Sequence, residues 1–510
     1  MQAIIGDTNL IYWEKRMLNL PHDLYTAKQT RELDLLVTEQ HNVSTAKLMA
    51  RAGSAALSSI KNHWSQAERL LIICGTGNNG GDGFELARQA VESNYRVVVF
   101  QVGNDKQSNE SAAAREALIA TGTEIHQFEG SLPSTDVIVD ALLGTGLNRT
   151  VEGDYEAAIN AINDNHRAPV LSLDIPSGLQ ADTGTAMNIA VKATICLSFI
   201  GLNKGLFIGE GPNYSGTVCF DSLQVPSALY KKFDPVARRV SLENDGARLA
   251  PRERTGHKGI YGHLLIIGGD HGMPGAARVA AEAGARVGAG LVSIGTREVH
   301  SPILNQARPE LMCYGVEDPN DVDPLIQRAN SLTVGPGLGQ CDWGEILFQK
   351  AIDSNLPMVV DADALNMLSK KPRHYENWIL TPHPGEAARL LNCTSAEIQA
   401  DRFKAVKQLQ KRYGGVAVLK GSGTLIYNGS KPTRLSTWGN PGMGSGGMGD
   451  VLAGVIGGLL AQGFPLIEAA CVGVTLHGMA GDKAAEKDGE RGMLAMDLIP
   501  HLRHLANLIY

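Results

Sequence analysis

Two rhythms of apolar positions alternate along the chain. Short, nearly continuous apolar runs rich in Val, Ile and Leu end at glycine clusters, and stretches with apolar residues at helical spacing follow them. Residues 25–53 read as a helix that Thr26 can cap, with a second helix beginning near Ser44. A strand over 69–75 leads into GTGNNGGDG and a helix from Phe84; strands at 96–102, 136–144 and 169–178 alternate with helical stretches at 108–120 and 154–164. Strand, loop and helix at this interval predict a parallel sheet covered on both faces. Between 230 and 258 the chain turns polar and charged, which places a boundary near Asp245. The same grammar then restarts, with strands in 262–270, 331–339, 357–365, 377–391 and 414–427 and a long glycine loop feeding a helix after Asn440. The expected organisation is an extension over 1–24, a first α/β domain over 25–235 and a second over 245–508.

With 510 residues the chain is too long for one core, and two large α/β domains fit it. The 46 basic and 53 acidic side chains leave a net charge of -7, which argues against a broad nucleic-acid surface. Glycine is the outlier, with 58 residues, about 11% against a usual 7% or so. Its clusters follow apolar β-branched runs, where phosphate-binding turns lie. Seven dispersed cysteines without a CxxC read as reduced thiols. No signal-peptide pattern opens the chain, and the apolar stretch at 451–467 is interrupted by four glycines and Pro465, so its helix should end near Gln462. A cytoplasmic protein with no membrane span is the expectation.

The run Asn78-Asn79-Gly80-Gly81-Asp82-Gly83 lies between a strand and a helix, where backbone N–H groups can receive a phosphate. It has neither the GxGxxG spacing with a following acid nor the Gly-Lys-Ser/Thr of a nucleoside triphosphatase loop. Asp140 and Asp174 end strands and so face the crevice where open α/β sheets bind ligands, although either could instead cap a helix. Asn79, Asp140 and Ser177 could together offer oxygen ligands to a cation. One certain carboxylate favours a monovalent ion over magnesium. Lys204 alone is a weak signal.

NNGGDG, DALLGTGL, LSLDIPSGL and NKGL together resemble the N-terminal domain of the NAD(P)HX epimerases, over about 25–229. These interconvert the R and S epimers of hydrated NAD(P)H at nicotinamide C6. The resemblance implies a Rossmann-like three-layer αβα domain and potassium ligands at Asn79, Asp140 and Ser177. It places the dinucleotide against Asn78, Asn79, Gly80, Gly81 and Asp82 and against the loop Gly144, Thr145, Gly146, Leu147, Asn148, Arg149 and Thr150. Asp174 would be the acid/base group, assisted by Lys204.

In the second half, the glycine-dense run from Asn440 to Asp450 precedes a helix and makes an anion hole; Asp450 can act as a base or merely cap the helix. Lys420, Gly421, Ser422, Gly423 and Thr424 follow a strand and supply donors for a second phosphate. Asn366, His383 and Glu386 lie near turns at strand ends, and the prolines around His383 favour ligand contact over burial on an apolar face.

GGDHGMPGAA, GAGLV, GPGLG, DADAL, TPHPGE, KGSGT and GMGSGGMGDVLAG, in that order, resemble the C-terminal domain of the ADP- or ATP-dependent NAD(P)HX dehydratases, over about 250–505. The resemblance implies a ribokinase-like αβα fold, with Lys420 to Thr424 and Gly449 on the adenine nucleotide and Ala276, Gly337, His383 and Asp450 on the hydrate. Magnesium would accompany ADP, the small-molecule substrates would be NADHX or NADPHX, and a homo-oligomer is expected. A vitamin-type small-molecule kinase would share the GMGSGGMGD turn and would differ in leaving a stable phosphorylated product. A first half that only binds a dinucleotide or a partner is the other alternative.

Overall fold

The computed structural model describes residues 20–41, 43–103, 107–306 and 308–507. The expected extension therefore lies, up to residue 19, outside the described residues. The chain divides into two compact units, Met1–Ala237 and Arg238–Tyr510, a division that falls inside the polar stretch at 230–258. No helix among the described residues is long and apolar enough to cross a membrane. All seven cysteines are free thiols.

The first unit opens with helices α1 (Ala27–His41) and α2 (Thr45–His63). Thr26 Oγ1 accepts from Gln29 N, and Ser44 caps α2 by accepting from Lys47 N. Seven parallel strands follow: β1 (Arg69–Cys74), β2 (Arg96–Gln101), β3 (Ile125–Gln127), β4 (Val137–Ala141), β5 (Val170–Leu173), β6 (Ile195–Phe199) and β7 (Thr217–Asp221). Their order is β3-β2-β1-β4-β5-β6-β7, so the winding reverses between β1 and β4. Alternate residues of β1 serve opposite layers. Leu70, Ile72 and Cys74 pack with Leu33, Leu48 and Phe84 on one face; Leu71 and Ile73 pack with Ile159 and Ile162 on the other.

Helix α3 (Asn78–Glu92) starts six residues earlier than the sequence suggests, so the NNGGDG run is its first turns and not a loop before it. Glycine lowers helix propensity, but here the glycines let the helix close onto the strands. A Cβ on Gly80 would collide with the Gly75 carbonyl, and one on Gly83 would meet the Ala141 side chain at 2.6 Å. Helices α4 (Asn109–Ile119) and α5 (Asp154–Asn163) complete the layers.

In the second unit, strands β8 (His263–Ile267), β9 (Leu291–Thr296), β10 (Met312–Gly315), β11 (Ser331–Val334), β12 (Met358–Val360), β13 (Trp378–Leu380) and β14 (Val416–Leu419) are parallel, and β15 (Thr424–Tyr427) and β16 (Thr433–Ser436) continue antiparallel. The order is β16-β15-β14-β13-β12-β11-β8-β9-β10. Helix α6 (Pro274–Arg286) crosses α11 (Met448–Ala461), with α7 (Asp342–Asp353), α8 (Ala362–Lys370), α9 (Pro384–Leu391) and α10 (Arg402–Tyr413) between them in the chain and α12 (Leu466–Asp488) after them. The crossing is close enough that a Cβ on Gly454 would strike the Ala280 carbonyl. Gln462 ends α11, and the helix is buried along nearly its whole length. That explains the apolar, glycine-spaced stretch without a membrane.

Candidate active sites in the two units

A cavity of about 570 Å³ opens in the first unit where the strand order reverses. The start of α3 after β1 and the loops after β4 and β5 bring Asn78, Asn79, Asp82, Gly144 to Arg149 and Asp174 to its wall. Asp174 is held in left-handed backbone (φ +63°) and accepts a 2.9 Å hydrogen bond from Thr145 N. It is therefore not a helix cap. Burial pushes its carboxyl up, partly opposed by the Thr145 bonds, and the Asp34 charge pushes the same way. Asp82 is raised well above the carboxylate range by burial and then by Asp174, Asp34 and Glu85.

Asp140 lies beneath the cavity wall, fully buried. It accepts from Ser172 Oγ at 2.7 Å, Ser177 N at 2.9 Å and Ser177 Oγ at 2.5 Å. These donors oppose the burial that otherwise raises its pKa. Asn79 is also buried, yet neither its amide oxygen nor its nitrogen has a hydrogen-bond partner. Gly80 and Gly81 face inward, toward Gly75 and Met49, and Thr150 follows the lining loop on the exposed surface. Lys204 is not brought to the cavity wall: it opens a short 3₁₀ turn, buried, with its N donating to Tyr25 O at 3.3 Å.

In the second unit the functional groups gather after β11, β12, β13 and β14 and at the start of α11. Lys420 Nζ bonds Asp361 Oδ1 at 2.9 Å and lies 3.8 Å from Glu386 Oε2. A Cβ on Gly449 would sit 3.2 Å from that ammonium. Asp450 is the third residue of α11, whose N-cap is Gly447 at φ +88°, so the capping role open to it in the sequence belongs elsewhere. Burial, then Asp361, Asp363 and Glu386, push its carboxyl up to about 7, with Lys420 opposing. The KGSG turn joins β14 to β15, and the buried Arg402 donates to the carbonyls of Leu419, Lys420 and Gly423 at 3.2–3.3 Å. Gly421 and Gly423 take the positive φ that this turn needs, Ser422 lies exposed at its tip, and Thr424 Oγ1 closes it on Gly421 O.

Ala276 and Gly337 come together, a Cβ on Gly337 lying 3.3 Å from that of Ala276. His383 does structural work: its Nδ1 accepts from Gly385 N at 3.0 Å while Glu386 Oε2 accepts from His383 N at 2.7 Å, a capping box for α9. Its ring remains half exposed. Asn366 is tied to Arg389 at 2.8 Å.

Residues 264–504 match the family model described as NAD(P)H-hydrate dehydratase, and residues 45–205 match that of the YjeF-related protein N-terminus. The bifunctional NAD(P)H-hydrate repair enzyme Nnr of Coxiella burnetii is 47% identical, with 95% of this chain and 99% of that protein covered. The enzyme of the same name from Escherichia coli is 42% identical over 97% and 96%. The chain belongs to the family of bifunctional NAD(P)H-hydrate repair enzymes. A ribokinase-like superfamily protein from Enterococcus faecalis, 27% identical with a TM-score of 0.50, matches 54% of this chain and 96% of its own. The second unit is thus ribokinase-like, and the first is an α/β unit with a parallel sheet.

Two groups in these sites escape motif reading. Asp34, on α1, lines the first cavity and couples to Asp82 and Asp174, and only its place in a helical pattern could have suggested it. Asp361 lies within DADAL, a quoted motif, but nothing local pairs it with a lysine 59 residues on.

Proposed function

We propose that the chain repairs hydrated nicotinamide cofactors in two steps. The first unit interconverts R- and S-NAD(P)HX at C6, and the second dehydrates the S epimer to NAD(P)H at the expense of ADP, giving AMP and phosphate. The observation that carries this reading is the pair of separate sites, each with a raised carboxylate at strand or helix ends, in a chain that matches bifunctional repair enzymes over nearly its whole length.

In the first unit Asp174 moves the proton. Burial raises its carboxyl above the usual range, which favours a group that takes up and returns a proton, as reversible loss and return of the C6 hydroxyl or reversible ring opening requires. The first turns of α3, at 78–82, and the 144–150 loop would hold the dinucleotide, with its phosphates at the amides of the helix start. Asn79, Asp140 and Ser177 would hold potassium. The unpartnered buried amide of Asn79 suits such an ion, since an orphaned polar group is otherwise costly. Bound there, potassium would supply a fixed positive charge behind the dinucleotide site.

In the second unit Asp450 takes the proton of the C6 hydroxyl as that oxygen bonds to the terminal phosphorus of the nucleotide. The bridging P–O bond breaks, and its electron pair leaves with AMP. Loss of a C5 proton and of phosphate from C6 then restores the double bond. Phosphorylation turns hydroxide into a competent leaving group, which is why a dehydration consumes a nucleotide. The amides ahead of α11 would face the developing charge. Magnesium would be carried on the nucleotide's phosphates, where it would offset their charge.

The test follows absorbance at 340 nm after adding the purified chain to mixed R,S-NADHX with potassium and magnesium, and ADP, ATP or neither. Recovery of the whole hydrate pool with nucleotide is expected, with ADP the preferred donor. Recovery limited to the S fraction would remove the epimerase assignment, and a stable phosphorylated alcohol would replace repair with kinase chemistry.

A further inference from the structure

Asp361 has no part in the steps above, yet it stands at the centre of the second site. It follows β12 directly and is 1% exposed. Its main chain cannot drift: Asp361 N donates to Val334 O at 3.1 Å, and its carbonyl is packed so closely on Gly335 that a Cβ there would collide with it. Its Oδ1 accepts from Lys420 Nζ at 2.9 Å, and its Oδ2 lies 3.5 Å from the Cβ position of Gly449. Glu386 is the weaker second anchor of the same ammonium. A lysine stem is flexible, but here its head is fixed against the backbone residue that precedes Asp450.

We propose that Asp361 is a positioning residue for phosphoryl transfer: it holds the Lys420 ammonium at Gly449, so that the lysine neutralises the phosphoryl group while Asp450 receives the hydroxyl proton. Lys420 then serves the reacting end of the nucleotide, and the rest of the KGSGT turn serves the remainder. The inference rests on the dehydratase reading of this unit. Asp361 makes and breaks no covalent bond.

The charged and titratable groups around Asp450 are Asp361 and Asp363 at the start of α8, Glu386 on α9, Lys420 after β14, and His477 of α12, which bonds the Met448 backbone. Asp361 raises the Asp450 pKa and Lys420 lowers it, so the two partners carry opposite signatures.

The test measures S-NADHX dehydration by the full chain with ADP and magnesium from pH 5.5 to 9. Asp361→Asn should lower kcat on the order of 10- to 100-fold with little change in the nucleotide KM, as expected when a charge acting in the transition state is misplaced. Its acid limb should move to lower pH, whereas that of Lys420→Met should move to higher pH. A wild-type kcat in Asp361→Asn, a change in KM alone, or limbs moving in the same direction would overturn the proposal. If Asp361→Asn does not fold by thermal melt, Lys420→Gln leaves the Asp361 main-chain contacts intact and removes only the ammonium it holds: a kcat loss with KM held supports the proposal, and a KM loss alone overturns it. An inactive wild type would instead bring down the dehydratase reading.

Discussion

Asp450 should cost the protein stability in return for its reactivity, and Asp450→Asn isolates that cost. The substitution keeps the side chain's shape and removes its ionisation. Burial and the three neighbouring acids move the carboxyl from 3.8 to about 7. A shift of about 3 units at 1.36 kcal/mol each sets a ceiling near 4 kcal/mol. Because Asp450 keeps some solvent contact and pairs of charges relax there, about 1–2 kcal/mol is the expected effect. The sign follows from linkage. A carboxyl whose folded pKa is raised is comfortable in the fold while protonated, and that advantage is lost as pH rises from about 4 through 7. Asn never ionises, so the variant should melt about 2–8 °C above the wild type at pH 8, by about half that or less at pH 5, and no higher near pH 4. Dehydration should fall about 100- to 10,000-fold over the same range. Calorimetry without nucleotide at the three pH values, alongside the 340 nm assay, checks both halves. A gain equal at every pH, or a variant less stable than wild type at pH 8, would refute the assignment of Asp450 as a strained, raised carboxyl.

Three further outcomes follow from the first unit. Asp174→Asn should abolish consumption of the R epimer while S-specific dehydration stays within about twofold, as read by chromatography that resolves the epimers; surviving R turnover would return the acid/base role to another group. Gly80→Ala places a Cβ against the Gly75 main chain, 2.7 Å from its carbonyl carbon, and backbone on both sides cannot yield. Destabilisation of about 3 kcal/mol or more is expected in denaturant unfolding, and less than about 1 kcal/mol would contradict the close approach. Potassium should raise the melting temperature of the wild type relative to lithium, and Asn79→Ala should remove that difference, a readout independent of turnover.

Some of this was legible residue by residue, and some was not, for reasons that differ in kind. Several helix ends followed from local signals: α2 begins at Ser44, near where a helix start was expected, and Gln462 ends α11 ahead of Gly463 and Pro465. The start of α3 was misplaced because propensity counts glycine against a helix, while the requirement that decides it, contact with Gly75, is tertiary. NKGL could locate Lys204 in a turn but not show whether that turn faces the cavity. Prolines on both sides of His383 argued against burial on an apolar face, and its ring is half exposed; the cap it also forms, with Pro384 at the first helical position and Glu386 three residues on, went unread. The grouping of Asp361, Glu386, Lys420 and Asp450 is the instructive miss. Each stands at or just after a strand or helix end, but their sequence separations conceal that β12, β13 and β14 are neighbours. In a parallel sheet the residue that follows each strand is delivered to the same edge: Gly335 after β11, Asp361 after β12, Thr381 after β13, Lys420 after β14. Applied to the strands already visible in the sequence, that rule sets an acid and a base two strands apart at one rim, and a buried ion pair beside a glycine anion hole follows without any motif.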